Sequence, residues 1–155
     1  MGREVFLIIH DVRSAHNVGS LFRTADCMGV SKIYLSGYTP APIDRFGRKD
    51  ARIAKVALGA EEVLPWDQRE ITELVAELKT SGVEVAALEQ APSAVPLDAY
   101  TPAGDVALIV GNEVDGLPHA VLVTSDATIE IPMKGKKESL NVAHAGAIAL
   151  YHLAQ

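Results

Sequence analysis

One cysteine, Cys27, stands among 155 residues, so no internal disulfide framework can form and a reducing compartment suits the chain. No apolar run approaches the ~20 residues of a membrane-spanning helix. The opening residues, Met1-Gly2-Arg3-Glu4-Val5, lead straight into a strand and lack a secretory pattern. A cytoplasmic location without membrane attachment is the expectation. Positive charge is also scarce: 14 Lys and Arg face 20 Asp and Glu, a net charge of −6. That excludes a surface coated in positive charge, although nucleic acid requires only a local patch. The GxGxxG dinucleotide fingerprint, the GxxxxGKS/T phosphate loop and the GxSxG nucleophile turn are all missing. The five histidines are scattered, so no metal site is expected. Cys27 lies beside Met28 in an apolar helical segment and reads as a buried, inert thiol.

The chain is 48% hydrophobic and of a length that makes one domain, 1–155, with a continuous core. Residues 5–10 (VFLIIH), 32–36 (KIYLS), 83–88 and 106–110 (VALIV) read as strands, the last apolar on both faces. Short strands are also expected at 62–65 and 128–131. Val18, Leu21, Phe22, Ala25 and Met28 recur at helical spacing before Gly29, and further helices are expected at 50–58, 68–81 and 140–153. Residues 37–47 form a loop and 91–104 a Pro-rich connection. Strands alternating with helices define an α/β fold with a mainly parallel sheet.

Three segments carry chemistry. The first, 17–25, follows the first strand: Asn17 suits an N-cap, Gly19 lets another backbone approach, and Arg23 is either a surface arginine or a fixed guanidinium for phosphate or ribose. The second, Gly111-Asn112-Glu113-Val114-Asp115-Gly116-Leu117-Pro118, leaves the strand 106–110 where open α/β sheets bind ligands, and is either a tight turn or room for a flat ligand. The third, 131–142, passes from a strand end through a Gly/Lys-rich turn to Ser139, placed to cap the last helix, with Asn141 in its first turn. His144, four residues from both Leu140 and Ile148, reads as packed in a core or an interface. Two basic patches complete the picture: Arg45, Arg48, Lys49, Arg52 and Lys55, interrupted by Asp50, and Lys134, Lys136 and Lys137.

In this order, NxGxxxRTA, GNExxGLP and IPM…SLNV resemble the SpoU/TrmH-like branch of the SPOUT RNA methyltransferases over nearly the whole chain. The resemblance implies a parallel α/β sheet whose C-terminal part is tucked into a trefoil knot, which connection rules alone never suggest. It implies S-adenosyl-L-methionine as cofactor, methyl transfer to a ribose 2′-hydroxyl of tRNA or rRNA, and a homodimer. Carried over, Gly111, Asn112, Glu113, Gly116 and Leu117 hold the cofactor together with Ile131, Met133, Ser139, Leu140 and Asn141; Leu88, Glu89 and Gln90 form a further wall. Arg23 is the residue most associated with catalysis, accompanied by Asn17, Glu113, Ser139 and Asn141. RNA contacts are expected from Arg23, Arg45, Arg48, Lys49, Arg52, Lys134 and Lys136. The chain looks like a bare catalytic core without the extra RNA-binding domain of many relatives, and His144 replaces a residue that is usually small or aliphatic.

A guanidinium with a pKa above ~12 is a poor proton acceptor. Arg23 is therefore expected to hold a phosphate and stabilise developing alkoxide charge, with His16 or Glu113 as candidate bases. Alignment of the ribose oxygen alone can contribute ~7–11 kcal/mol. The alternatives are a non-catalytic RNA-binding module of the same fold and an enzyme that methylates a base.

Overall fold

The computed structural model describes residues 2–155; Met1 lies outside them. Among the described residues, strands β1 (Val5–His10), β2 (Lys32–Ser36), β3 (Trp66–Gln68), β4 (Glu84–Leu88), β5 (Val95–Pro96), β6 (Val106–Val110) and β7 (Ala127–Glu130) form one sheet in the order β3-β2-β1-β6-β4-β7-β5. Every pairing is parallel, with Leu7 beside Ile33 on one side and Leu108 on the other. Helices α1 (Ala15–Cys27), α2 (Ala51–Ala57), α3 (Ala60–Val63), α4 (Ile71–Thr80), α5 (His119–Thr124) and α6 (Val142–Leu153) cover both faces.

The two-residue period of the strands divides the core into two layers. Leu7, Ile9, Leu108 and Val110 pack with Leu21, Phe22, Leu150 and Leu153 of α1 and α6. Ile8, Ala107 and Ile109 pack with Leu74, Leu78 and Val121 of α4 and α5. Residues of β6 are buried throughout, which is why its sequence shows no polar alternation. None of the described helices is long and apolar enough to cross a membrane.

Close approach fixes α1 between its neighbours. A Cβ on Gly19 would lie 2.7 Å from the Ile53 carbonyl oxygen of α2, and one on Gly146 would lie 2.7 Å from Leu21 Cδ2. Helix backbones meet here because neither glycine carries a side chain.

Four local expectations are corrected. Residues 60–63 are helical and the strand follows at Trp66–Gln68, because Gly59 turns left-handed and releases a short Ala/Glu-rich helix. The cap of α1 is Ser14, whose hydroxyl accepts from the Asn17 N–H at 3.1 Å, and not Asn17. The cap of α6 is Asn141, accepting from the N–H groups of Ala143 and His144, and not Ser139. Cys27 is exposed. It lies four residues after Arg23 and three after Thr24, on the polar stripe of α1 and not its apolar one. The stretch after Pro118 also holds α5, and the Pro-rich connection holds β5 and a 3-10 turn at Leu97–Ala99.

Candidate active site

The loops that leave β4, β6 and β7 at their carboxyl ends surround a cavity of about 300 Å³. The start of α6 closes its fourth side, through Ser139, Leu140, Val142 and Ala145. Leu88, Ile131, Met133 and Leu140 supply apolar walls, while Glu89, Glu113, Asp115, Glu130 and Glu138 supply carboxylates. No lysine, arginine or histidine lines it. A cavity bounded by acids alone favours a cationic ligand over a phosphate.

Its floor is a turn built to stay open. Asn112 Oδ1 accepts from the N–H groups of Val114 and Asp115, and the Gly116 N–H returns to the Asn112 carbonyl at 3.1 Å. The Asn112 amide donates to the Asp11 carbonyl at 3.0 Å and to the Tyr38 hydroxyl at 2.6 Å, tying the turn to β1 and β2. Gly116 adopts φ 69°, a left-handed conformation that glycine tolerates best. A Cβ there would run into the Glu89 carboxylate, which accepts from the Leu117 N–H at 2.7 Å. A Cβ on Gly111 would lie 2.6 Å from Leu117 Cδ2. The bare positions let Leu117 and the Glu89 carboxylate pack directly against the turn.

Glu113 connects this cavity to α1. Its carboxylate accepts from the backbone N–H groups of Arg13 (3.1 Å) and Ser14 (3.0 Å) and from the Asn17 amide (3.2 Å). Asn17 Oδ1 then accepts from the Asn141 amide at 3.2 Å. The three sequence segments thus meet side chain to side chain through Asn17, which lies 96 residues before Glu113 and 124 before Asn141. Burial pushes the Glu113 carboxyl up, but hydrogen bonds from its own backbone N–H, Ser14, Arg13 and Asn17 outweigh it and hold the group below its ordinary value of 4.5. An ionised carboxylate already occupied by these donors is a poor place for another proton.

A stability consequence follows from the sign of that shift. A carboxyl with a depressed folded pKa adds stability above its unfolded value, and this is lost as pH falls through the folded value. Glu113→Gln is expected to lower the urea midpoint at pH 7. The gap from wild type should narrow in acid, as pH falls from the ordinary value of 4.5 through the lower folded one and the native carboxyl also protonates. An equal gap at neutral and acid pH would contradict the linkage.

Beyond Asn141 lies a second cavity, about 610 Å³, between α1, α2 and α6. His16, Ser20, Arg23, Thr24 and Cys27 face it from α1, Val56 from α2, and His144 and Ala147 from α6. Here no acid lines the wall. The two cavities are therefore segregated by charge, with acids in the first and Arg23 in the second, and Asn17 and Asn141 at their junction.

The expected cofactor residues Leu88, Glu89, Gln90, Gly111, Asn112, Glu113, Gly116, Ile131, Met133, Ser139 and Leu140 all line the first cavity. Leu117 does not; it is buried behind Gly111. Asn141 borders the second cavity. His144 is exposed in this chain and not packed in its core. Of the expected RNA contacts, Lys134 and Lys136 are exposed but line neither cavity. Arg48, Lys49 and Arg52 are paired with Asp44, Glu62 and Asp50, so their charge is largely compensated. Sequence reasoning missed Ser20, Thr24 and Cys27 as one face with His16 and Arg23. The signal was present as polar residues at positions 16, 20, 23, 24 and 27, the spacing of one helix side. Burial keeps His10 below the usual imidazole range despite Asp11 and Glu70, and its Nδ1 lies 2.8 Å from Ser36 Oγ inside the sheet edge.

The all-parallel open sheet defines an α/β protein whose cavity lies at the strands' carboxyl ends, where open sheets of this class bind small molecules. The sequence pattern of the SpoU rRNA methylase family matches residues 4–151, and the chain belongs to that family. It is 37% identical over 149 residues to the 23S rRNA (guanosine(2553)-2'-O)-methyltransferase RlmP of Bacillus subtilis, covering 95% of this chain and 56% of that protein. It is 32% identical to the 23S rRNA (guanosine-2'-O-)-methyltransferase RlmB of Vibrio parahaemolyticus, covering 95% and 57%. The chain thus spans little more than half the length of these curated relatives. Among solved structures, the AdoMet-bound rRNA methyltransferase from Sinorhizobium meliloti superposes with a TM-score of 0.88 at 27% identity, over 98% of this chain and 56% of that one. A structure described as giving insight into 2-OH methylation of C/U34 on tRNA superposes at 0.80 and 24% identity, over 96% and 93%, a likeness of fold alone.

Proposed function

We propose that residues 4–151 form a catalytic domain that transfers a methyl group from S-adenosyl-L-methionine to a ribose 2′-hydroxyl of RNA. The observation that carries this is the charge segregation across the Glu113–Asn17–Asn141 junction: acids around a small-molecule cavity, and Arg23 beside the adjoining one. The names of the 23S rRNA 2′-O-methyltransferase relatives and the AdoMet-bound neighbour support the same reading.

The first cavity fits the cofactor in size and chemistry. Its volume is at the lower end of small-molecule sites, roughly 300–1,000 Å³. Apolar walls at Leu88, Ile131 and Leu140 suit a purine, the bare backbone of Gly111 and Gly116 lines the space, and the carboxylates suit a cation. When bound, S-adenosyl-L-methionine supplies a methyl group on a positively charged sulfur. Arg23 holds an RNA phosphate and stabilises charge on the ribose oxygen as its proton leaves. Asn17 and Asn141 position Arg23's helix against the cofactor loop. Glu113 acts as their anchor, and His16, exposed on the same face of α1 as Arg23, is the remaining candidate base. Arg45, Lys134 and Lys136 extend the RNA-facing surface.

Incubation with tritiated cofactor and total bacterial RNA, followed by nucleoside digestion, tests the proposal. Label in a 2′-O-methylnucleoside is the expected product. Label in a base methyl supports the base-methylating alternative, and cofactor affinity without transfer supports the non-catalytic module.

Two further features belong to this reading. The segment 131–141 threads the loop 89–105 as a trefoil knot. Support comes from β5 pairing outside β7 and from the His152 ring nitrogen 2.7 Å from the Tyr100 carbonyl. Joining the chain ends in the folded state tests it: a knotted ring stays more compact in denaturant than an open one. The protein acts in the cytoplasm as a homodimer through the face carrying His144, Ile148 and Tyr151, of which Ile148 and Tyr151 remain 45% and 61% exposed. Sedimentation as a 16.5 kDa species would overturn the dimer.

A further inference from the structure

The loop 40–50 between β2 and α2 carries an exposed aromatic ring with two guanidinium groups close beside it. Phe46 is 67% exposed, with Arg45 Cζ 4.9 Å and Arg48 Cζ 5.0 Å from its ring centroid. An exposed phenylalanine at a loop tip forfeits hydrophobic burial, so a role in folding does not account for it.

The loop is closed and ordered by its own bonds. Asp44 accepts from the Phe46 and Arg48 N–H groups at 2.8 and 2.9 Å and from Arg48 Nε at 2.8 Å. The Asp44 N–H donates to the Arg48 carbonyl at 2.9 Å, and the Asp50 N–H to the Pro42 carbonyl at 2.9 Å. The ring is therefore presented on a fixed turn, which lowers the entropy lost when something stacks against it.

Charge alone does not explain this surface. Arg48, Lys49 and Arg52 are each paired with a carboxylate, and among the described residues only Arg45 and Lys55 of the patch lack one. A phosphate-tracking stripe would leave its cations free. What stays exposed is one aromatic ring together with two planar guanidinium groups, and unpaired nucleobases stack on both kinds of surface. The loop also sits between the two cavities along the chain. Tyr38, just before it, bonds to Asn112 of the first, and Val56, just after it, faces the second.

We infer that the Arg45–Phe46–Arg48 cluster stacks on an unpaired base of the RNA substrate, so that the enzyme selects single-stranded or looped RNA over duplex. This rests on the RNA-methylating reading above and specifies its substrate class.

The test uses the full chain, a short fluorescein-labelled single-stranded RNA, and the same strand annealed to its complement. Phe46→Ala is expected to weaken single-strand binding roughly 5- to 150-fold, the range of one lost base stack. Phe46→Trp should restore it, and duplex binding should stay at the wild-type level. The salt dependence should also be unchanged in Phe46→Ala, but shallower by about one ion in Arg45→Gln. Equal single-strand affinity in Phe46→Ala and wild type, or equal losses on strand and duplex, would overturn the stacking role. A wild type that methylates RNA while Phe46→Ala keeps its KM overturns this inference alone. A wild type that transfers no methyl to any RNA overturns the functional reading itself.

Discussion

Arg23→Lys is expected to reduce methyl transfer about 10²–10³-fold, the range seen when a single oxyanion-stabilising donor is removed, while cofactor affinity is unchanged. Lysine keeps the positive charge but not the planar fork, so one phosphate oxygen and the developing ribose alkoxide can no longer be held together. Cofactor affinity should survive because Arg23 faces the second cavity, on the far side of Asn141 from the acidic one. Measuring kcat in single turnover and affinity by calorimetry separates the two quantities. Near-normal turnover in Arg23→Lys would remove the role assigned to that side chain. The same assay locates the base: a His16→Ala enzyme whose pH–rate profile matches wild type excludes His16 and leaves proton loss to phosphate or solvent.

The other large effect is expected at the glycines of the first cavity. Gly116→Ala forces a side chain into a left-handed backbone at φ 69° and drives its Cβ into the Glu89 carboxylate. Overpacking of ~1–3 kcal/mol together with ~1–3 kcal/mol of backbone strain sums to about 2–6 kcal/mol, which corresponds to a cofactor affinity lower by at least about 30-fold as the turn shifts to relieve it. Gly111→Ala should act in the same direction through Leu117, whose Cδ2 would lie 2.6 Å from the new methyl. Gly135→Ala serves as the control, because a Cβ there meets nothing within 4 Å. Calorimetric affinities for S-adenosyl-L-methionine that are equal in Gly116→Ala and Gly135→Ala would mean that the cofactor does not occupy this cavity.

Much of the architecture is legible along the chain because buried parallel strands leave an unmistakable mark. β6 begins and ends where its apolar run does, since both its faces are covered, and the apolar runs of β1 and β2 mark those strands to within a residue at each end. The helix at 60–63 was not legible. Four residues of Ala, Glu and Val fit a short strand as well as one helical turn, and the choice depends on Gly59 turning left-handed. The helix caps show the same limit. Ser14 and Asn17 are both good caps, as are Ser139 and Asn141, and local chemistry does not choose between them. Glu113 decides the first pair by claiming the N–H groups of Arg13 and Ser14 and the amide of Asn17. Asn141 wins the second because its amide also reaches Asn17.

The sequence by itself determined the longer strands β1, β2, β4 and β6, the glycine-bearing turns, the acidic balance and the order of the three segments that mark the family, because these depend on residue type and short-range spacing. Tertiary structure alone decided that Glu113, Asn17 and Asn141 touch and that Arg23 faces a cavity separate from the acidic one. It also decided that Lys49 of the basic patch reaches Glu62. Contacts of this kind depend on where separated segments are brought together by the fold, and residue type along a chain says nothing about which distant partner will lie within hydrogen-bond reach.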